Sequence, residues 1–543
     1  MSFRLRVVRA FTLLVGFYLM GIVLLSAIAA VDWLLVTRLF SARAAWFEGT
    51  LLTVSALLAI AILRGFFAFI QAGRLCPLPH ALPVTPHDQP ELWAQIQAAA
   101  EVTGQRPPDE FYLLAEANAG VAEHSRLLGL LPGRRRMLLG LPLLDGLTVP
   151  QLRAVLSHEF GHYANLDTRL GAITMRGREA LLHTVEVFAQ GSTPLHHTIG
   201  NLYVGYARMF LRTSQSVARH QELAADQTAA RHAGREATAA ALRALPIIAA
   251  AHTHYLETYP AMGSALEALP PHGQVHAGFR RMLAARTSEQ LTLLASKQRP
   301  SRPHPYDSHP PTAERIALIE ELPTDTHPDG TTIEAAALTL LHDSDQVFTA
   351  LEARTLPTET VRWRRMSWDD LVMARATADA ETWSQPLRVA AARALRSTTQ
   401  EANNTSRAHR TSTTDTQTGK ELPSLEEILD AFDRGLLWME IADRMPKPHQ
   451  AARLTGASAR NFIRPKLFDA LAGMIHLQLT ATGDTRPDIA WSGQPRLALP
   501  EVWEKGMDDA IDHAIADKPH TAPLRALLAS PTTPTPEGAV PYE

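Results

Sequence analysis

The feature that most constrains the fold is an N-terminal apolar run, Ala10 to Val31, which contains no charged side chain. About twenty apolar residues are enough to cross a bilayer, and a lone segment can do so only as a helix, because a helix satisfies its own backbone hydrogen bonds. A second run, Gly49 to Ile70, is interrupted by one charge, Arg64, near its end. The two runs predict a hairpin of two transmembrane helices over residues 1–75.

A cleaved signal peptide is the alternative for the first run. The run is longer than the apolar core of such a peptide, and a second run follows it, so an uncleaved anchor is the better interpretation. Arg4, Arg6 and Arg9 precede the first run, while Arg64 and Arg74 end the second. The positive-inside rule then places both termini in the cytoplasm, with the lipid bilayer as the first predicted partner.

The rest of the chain is predicted to be mainly α-helical with a small β-sheet, which is an α+β fold. Short apolar runs bounded by turn residues predict strands at Phe111–Leu114 and Arg136–Leu139. A polar stretch predicts a disordered linker, because it cannot bury enough apolar surface to fold. The predicted segments after the hairpin are a main domain at 76–330, a helical extension at 331–396, the linker at 397–422, a helical C-terminal domain at 423–530 and a disordered tail at 531–543.

The cysteine content limits the chemistry of any metal site. With Cys76 alone, a disulfide framework and a cysteine-ligated zinc site are both excluded, so histidines and carboxylates must supply the ligands. Residues 158 to 162 read His-Glu-Phe-Gly-His, which is the HExxH pattern. On a helix, His158 and His162 lie one turn apart on the same side and can reach one zinc ion. Glu159 lies beside them, where it can take a proton from a metal-activated water.

The residues just before this motif predict that a helix begins there. Thr148 is a suitable N-cap, Pro150 fits the first turn, and Gln151 is placed to complete a capping box. The two histidines therefore fall on a helix.

A catalytic zinc needs a third protein ligand. Glu222 and Asp226 lie four residues apart on a second predicted helix and share a face. Glu222 can bind the metal while Asp226 accepts a hydrogen bond from a ligating imidazole. The alternative is a solvated helix on which Glu222 forms an ordinary charge pair with Arg219.

Several motifs occur in one order along the chain. A strand at 111–113 precedes Asn118-Ala119; LxxVLxHExxH then begins at Leu152, RxxExxAD spans Arg219 to Asp226, and a His-Pro pair at 309–310 precedes Arg315. In this order, over roughly residues 75 to 320, the chain resembles the integral-membrane gluzincins that include the heat-shock protease HtpX and the CAAX prenyl protease type 1.

The resemblance implies a zincin-like peptidase domain that binds one Zn²⁺ per chain through His158, His162 and Glu222. It also implies that Asp226, Arg315 and Arg219 support the metal centre, with Arg315 in a buried salt bridge.

Two further implications concern the substrate. His309 is expected to return to the active site as an oxyanion donor or a substrate contact, although a histidine in a proline-rich turn is an equally good interpretation. Asn118 and Ala119 are expected to belong to an edge strand that pairs with an extended substrate.

The predicted function is that of a membrane-anchored zinc endopeptidase with Glu159 as the general base, acting on membrane or unfolded proteins. Its catalytic domain is expected on the cytoplasmic side of the cell membrane. A net charge of −3 gives no support for a nucleic-acid partner. The alternative function is a non-proteolytic membrane scaffold or sensor that keeps the fold, but such a protein has no chemical need for Glu159.

Overall fold

In the computed structural model, the described residues are 3–34, 36–37, 50, 52–57, 59–60, 62–63, 78–123, 133–164, 181, 194–297, 310–323, 335–406, 422–447 and 453–530. Helices predominate among them, and the strands are few and short, which agrees with the predicted mainly helical class. The chain forms two compact units. One comprises Met1–Leu256 with His272–Pro357, and the other comprises Glu257–Pro271 with Thr358–Glu543.

The N-terminal apolar run forms helix α1, Phe3–Leu34. Its segment Phe11–Leu34 is long and apolar enough to cross a membrane, and it is the one helix of this kind in the described part of the chain. Large apolar side chains on α1 face outward; Val23 is 65% exposed and Trp33 is 72% exposed. Only part of the second run is described, and its described residues are helical. The predicted two-helix hairpin is therefore not confirmed.

The first unit contains a four-stranded sheet. Its strands are β1 (Leu82–Val84), β2 (Glu110–Leu114), β3 (Ala119–Glu123) and β4 (Arg135–Gly140), in the order β1-β2-β4-β3. The two central strands are parallel, and each outer strand is antiparallel to its neighbour. Phe111, Leu113, Met137 and Leu139 alternate along the central strands and are buried, because alternate residues of a strand face the same side. Within the described residues, β3 is an edge of this sheet.

Nine helices of the described residues complete the first unit. They are α2 (Pro90–Val102), α3 (Leu141–Gly146), α4 (Val149–Ala164), α5 (Pro194–Ala233), α6 (Arg235–Thr258), α7 (Gln274–Ala284), α8 (Ser288–Lys297), α9 (Thr312–Glu320) and α10 (Ser344–Thr355). The C-terminal part of the long helix α5 packs against α4, and an earlier part of α5 packs against α1.

The start of α4 has the capping box that the sequence predicts. The backbone N–H of Thr148 donates to Oε1 of Gln151 at 3.0 Å, and the backbone N–H of Gln151 donates to Oγ1 of Thr148 at 3.5 Å. The backbone N–H of Val149 also donates to the carbonyl oxygen of Ala335 at 2.8 Å. These contacts define where α4 begins, and so which of its residues face α5.

The second unit is built around a helical core. Its helices are α11 (Trp368–Ser406), α12 (Leu425–Asp433), α13 (Ala442–Arg444), α14 (Gly456–Thr482), α15 (Glu501–Ala514) and α16 (Ala522–Ala529). Two small sheets pair β5 (Ala268–Leu269) with β6 (Arg364–Arg365) and β7 (Arg486–Asp488) with β8 (Arg496–Ala498).

The linker predicted at 397–422 differs from the structure at its beginning. Helix α11 continues through that point to Ser406. Extending a formed helix costs much less than starting one, so polar residues can prolong it. Residues 407–421 of the predicted linker and the predicted tail at 531–543 lie outside the described residues.

Candidate metal centre

His158, His162 and Glu222 converge where α4 faces α5. The Nε2 atom of His158 lies 3.8 Å from Oε2 of Glu222, and the Nε2 atom of His162 lies 3.8 Å from Oε1 of the same carboxylate. The two imidazole rings are 4.7 Å apart between centroids and nearly perpendicular, at 85°. Both rings therefore present a nitrogen to the side on which Glu222 lies.

A glycine allows the two helices to come this close. A Cβ placed on Gly161 of α4 would lie 3.0 Å from Cα of Ala225 and 3.1 Å from Cβ of Thr228, both on α5. Any larger residue at this position would push α5, and Glu222 with it, away from the histidines. The sequence interpretation did not single out Gly161. The sequence does carry a signal for it: a glycine in a helix interior destabilises the helix by about 1 kcal/mol relative to alanine, so its presence there indicates close packing.

Asp226 contacts the other side of the His158 ring. Nδ1 of His158 lies 2.9 Å from Oδ1 of Asp226, which is buried. Burial by itself raises the pKa of this carboxyl group, but hydrogen bonds from Arg315 and His158 outweigh it and hold the pKa at about 2. A carboxylate accepts but cannot donate, so Nδ1 of His158 carries the proton. The Nε2 atom is then left as the free electron-pair donor.

Arg315 of α9 completes this ionic cluster. It donates from Nε to Oδ2 of Asp226 at 2.8 Å and from Nη2 to Oδ1 at 2.7 Å, a bidentate pair. Its Nη2 atom is also 3.7 Å from Oε2 of Glu222. The structure thus contains the salt bridge expected for Arg315, and its one cation reduces the repulsion between two buried carboxylates on α5.

Two residues of the predicted site are absent from the cluster formed by the described residues. Arg219 is exposed on α5, and within the described residues it forms no ion pair with the carboxylates of the site. Arg315 supplies the cation beside Asp226 and Glu222, because α9 packs over the buried face of α5. His309 lies outside the described residues, so the structure gives no position for it.

A cavity of about 350 Å³ lies beside the histidines. His158, Glu159, Asn118 and Ala119 are among the residues that line it. Glu159 is partly exposed to this cavity, whereas Glu222 is buried. The two glutamates therefore differ in position. Glu222 faces the imidazole nitrogens, and Glu159 faces the space that a substrate can occupy.

The donor set fits a zinc ion. Two neutral imidazoles and one carboxylate are the protein ligands of many catalytic zinc sites, and zinc bonds of about 2.0–2.2 Å place neighbouring donors roughly 3.4 Å apart. The separations of 3.8 Å between Glu222 and each Nε2 are close to that value. His158, His162 and Glu159 also offer donor atoms within 4.8 Å of one another.

Helix-borne histidines one turn apart, a buried carboxylate from a second helix and a further carboxyl group at the cavity are an arrangement typical of metallopeptidase centres. Comparison with known families agrees: residues 86–322 match the family model of Peptidase family M48. That family contains the metallopeptidases HtpX and CAAX prenyl protease type 1, and its members are metal-dependent. The resemblance noted in the sequence is confirmed. No solved structure matches the chain.

Proposed function

We propose that this protein is a membrane-anchored zinc endopeptidase. The observation that carries the proposal is that two carboxylates, Glu222 and Glu159, occupy different positions relative to His158 and His162. Glu222 lies 3.8 Å from both Nε2 atoms, and Glu159 lines the neighbouring cavity. One carboxylate is thus placed to hold a metal, and the other is placed to act on what enters the cavity.

The proposed mechanism assigns a role to each side chain. A bound zinc ion supplies Lewis-acid chemistry, polarising the scissile carbonyl group and lowering the pKa of water. His158, His162 and Glu222 hold the ion, and Asp226 keeps the proton of His158 on Nδ1. Glu159 accepts a proton from the attacking water and passes it to the leaving amine.

The proposed substrates are extended segments of membrane or unfolded proteins. Strand β3 begins at Ala119, Asn118 directly precedes it, and both residues line the cavity. Strand β3 pairs with β4 on one side only, within the described residues. An extended peptide can add to its other side through backbone hydrogen bonds, which makes recognition depend on exposed backbone.

The proposed anchor is helix α1, with the bilayer as its partner. The segment Phe11–Leu34 of α1 has one charged side chain, Asp32, near its end, and its outward apolar side chains match a lipid environment better than water. If the run Gly49 to Ile70 crosses the bilayer as well, the arginines at the start of the chain, with Arg64 and Arg74 at the end of that run, favour a cytoplasmic catalytic domain at the cell membrane.

The test compares wild type with Glu159→Gln, both purified in detergent with their zinc content measured. An unfolded protein is the substrate. We expect one zinc ion per chain in both proteins and cleavage only by the wild type, because glutamine keeps the shape of the side chain but cannot accept the proton.

Other outcomes contradict the proposal in distinct ways. Zinc in both proteins with cleavage by neither would favour a binding scaffold. Equal cleavage by both would remove Glu159 from the mechanism, and absence of zinc from the wild type would remove the metal centre.

A further inference from the structure

We propose that the cavity beside the metal centre accepts an uncharged, apolar side chain at one of the two substrate positions that flank the scissile bond, and that one face of α6 sets this preference. The inference rests on the proposed endopeptidase activity and specifies its substrate class.

One wall of the cavity is a continuous face of α6. Its residues recur at helical spacing and are small or apolar, apart from one hydroxyl group: Thr238, Ala241, Leu242, Leu245 and Ala249. Residues three and four apart lie on the same side of a helix, so these side chains form a single surface. Ala154 and Val155 of α4, one turn before His158, line the cavity as well.

Three of the polar side chains that line the cavity, those of Thr238, Asp226 and Arg315, already have hydrogen-bond partners. The Thr238 hydroxyl donates to the carbonyl oxygen of Gly234 at 2.8 Å. Asp226 and Arg315, which also line the cavity, form the bidentate pair described above. Among the described lining residues, the remaining charged or titratable side chains are His158 and Glu159 of the metal centre.

A charged substrate side chain packed against the α6 wall would lose its hydration without gaining a charged partner on that wall. Burying an unpaired charge is strongly unfavourable, whereas an apolar side chain gains by leaving water. The wall therefore discriminates by charge first. The two alanines, Ala241 and Ala249, leave room for a large side chain, and this makes the cavity discriminate by size as well.

The position of the cavity limits the preference to one side of the scissile bond. The cavity touches both Glu159 and the start of β3 at Asn118 and Ala119. Successive side chains of an extended peptide point in opposite directions. A peptide paired with β3 therefore turns one flanking side chain into the cavity and the other away from it.

The first experiment measures the cleavage preference of the zinc-loaded wild-type protein in detergent. The substrate is a peptide library that is randomised at both positions flanking the cleaved bond, and the cleaved bonds are identified by mass spectrometry. We expect leucine, phenylalanine or methionine to exceed aspartate, glutamate, lysine and arginine by at least about tenfold at one position.

The second experiment changes the wall. Ala249→Leu narrows the cavity, and Ala244→Leu makes the same change at a position of α6 that does not line it. For Ala249→Leu, we expect the ratio of kcat/KM for a phenylalanine peptide to that for an alanine peptide to fall by about tenfold or more. The ratio for Ala244→Leu should equal that of the wild type.

Binding gives a readout that does not depend on turnover. Glu159→Gln, loaded with zinc, should bind the phenylalanine peptide at least about tenfold more tightly than the same peptide with aspartate at that position. Adding Ala249→Leu should remove most of that difference.

The outcomes separate this inference from the proposed function. Glu159-dependent cleavage with charged residues equally frequent at both flanking positions would overturn the inference and leave the endopeptidase intact. Cleavage of nothing by the zinc-loaded wild type would instead contradict the proposed function. An unchanged phenylalanine-to-alanine ratio in Ala249→Leu would remove α6 as the source of the preference.

Discussion

At the scale of single residues, Asp226 is the side chain on which the most interactions of the metal centre converge. It contacts Nδ1 of His158 at 2.9 Å and receives two hydrogen bonds from Arg315. It thereby orients one proposed zinc ligand and neutralises the guanidinium group that lies beside another, Glu222. Replacing this carboxylate should weaken metal binding without removing any ligand.

We expect Asp226→Asn to lower the affinity for zinc by about 10–100-fold, the usual effect of changing the partner of a ligating histidine. Asparagine keeps an acceptor for Nδ1 but loses the charge that stabilises the protonated nitrogen and pairs with Arg315. Competition with a zinc chelator of known affinity measures the change. Glu236→Gln, an exposed carboxyl group on α6, is the control and should bind zinc as the wild type does. Equal zinc affinity in Asp226→Asn and wild type would show that Asp226 does not act on the metal.

At the scale of elements, the contact between α4 and α5 decides whether the donor groups meet. Helix α4 carries both histidines, and α5 carries Glu222 and Asp226. The gap between the helices is set at Gly161, whose missing side chain would otherwise meet the backbone of Ala225. A backbone obstacle cannot rotate away as a flexible side chain can, so the helices themselves would have to separate.

We expect Gly161→Ala to be less stable than Gly205→Ala by about 1–3 kcal/mol, the usual cost of adding a group to a tightly packed interior, because both changes gain the same helix propensity. The added methyl group should also reduce zinc retention, because it moves Glu222 away from the histidines. Thermal unfolding and the zinc content after dialysis are the two measurements. The matched control is Gly205→Ala on α5, where a Cβ would meet nothing within 4 Å. A Gly161→Ala protein as stable as Gly205→Ala and with the zinc content of the wild type would contradict the role assigned to this glycine.

At the scale of the whole molecule, the candidate anchor and the metal centre share one helix of the first unit. Near its N-terminal end, α5 packs Phe210 and Leu211 against Leu14 and Phe17 of α1. The hydroxyl group of Tyr206 also donates to the carbonyl oxygen of Leu13 at 2.7 Å. Further along, the same helix carries the carboxylates of the metal centre. The proposed membrane helix α1 therefore packs directly against the helix that carries Glu222.

We expect the protein to stay in the membrane fraction after a carbonate wash and to be released by detergent. A variant with Leu19→Asp, Ile22→Asp and Val23→Asp should be released by carbonate, because these three side chains are 55%, 51% and 65% exposed on α1 and would face the lipid. Leu293→Asp on α8, where the side chain is 53% exposed, is the control and should remain membrane-bound. Release of the wild type by carbonate alone would contradict the anchor.

The sequence by itself determined the local features of this protein. Helix α4 begins where the capping residues Thr148 and Gln151 predict, and β2 and β4 lie where short apolar runs predict strands, each within one residue of its expected bounds. Such features depend on neighbours along the chain, so they can be derived from spacing and residue type. The family motifs added the order of the site residues and the expected salt bridge of Arg315.

Only the tertiary structure decided how these pieces meet. It brings Glu222 to His158 and His162, gives Glu159 and Glu222 different surroundings, places Arg315 at Asp226 and leaves Arg219 exposed. It also shows that residues 397–406, polar enough to predict a linker, continue helix α11. Each of these outcomes depends on which faces of distant elements pack together. Which faces pack together depends on how much apolar surface the whole unit buries, and a short segment of sequence does not contain that information.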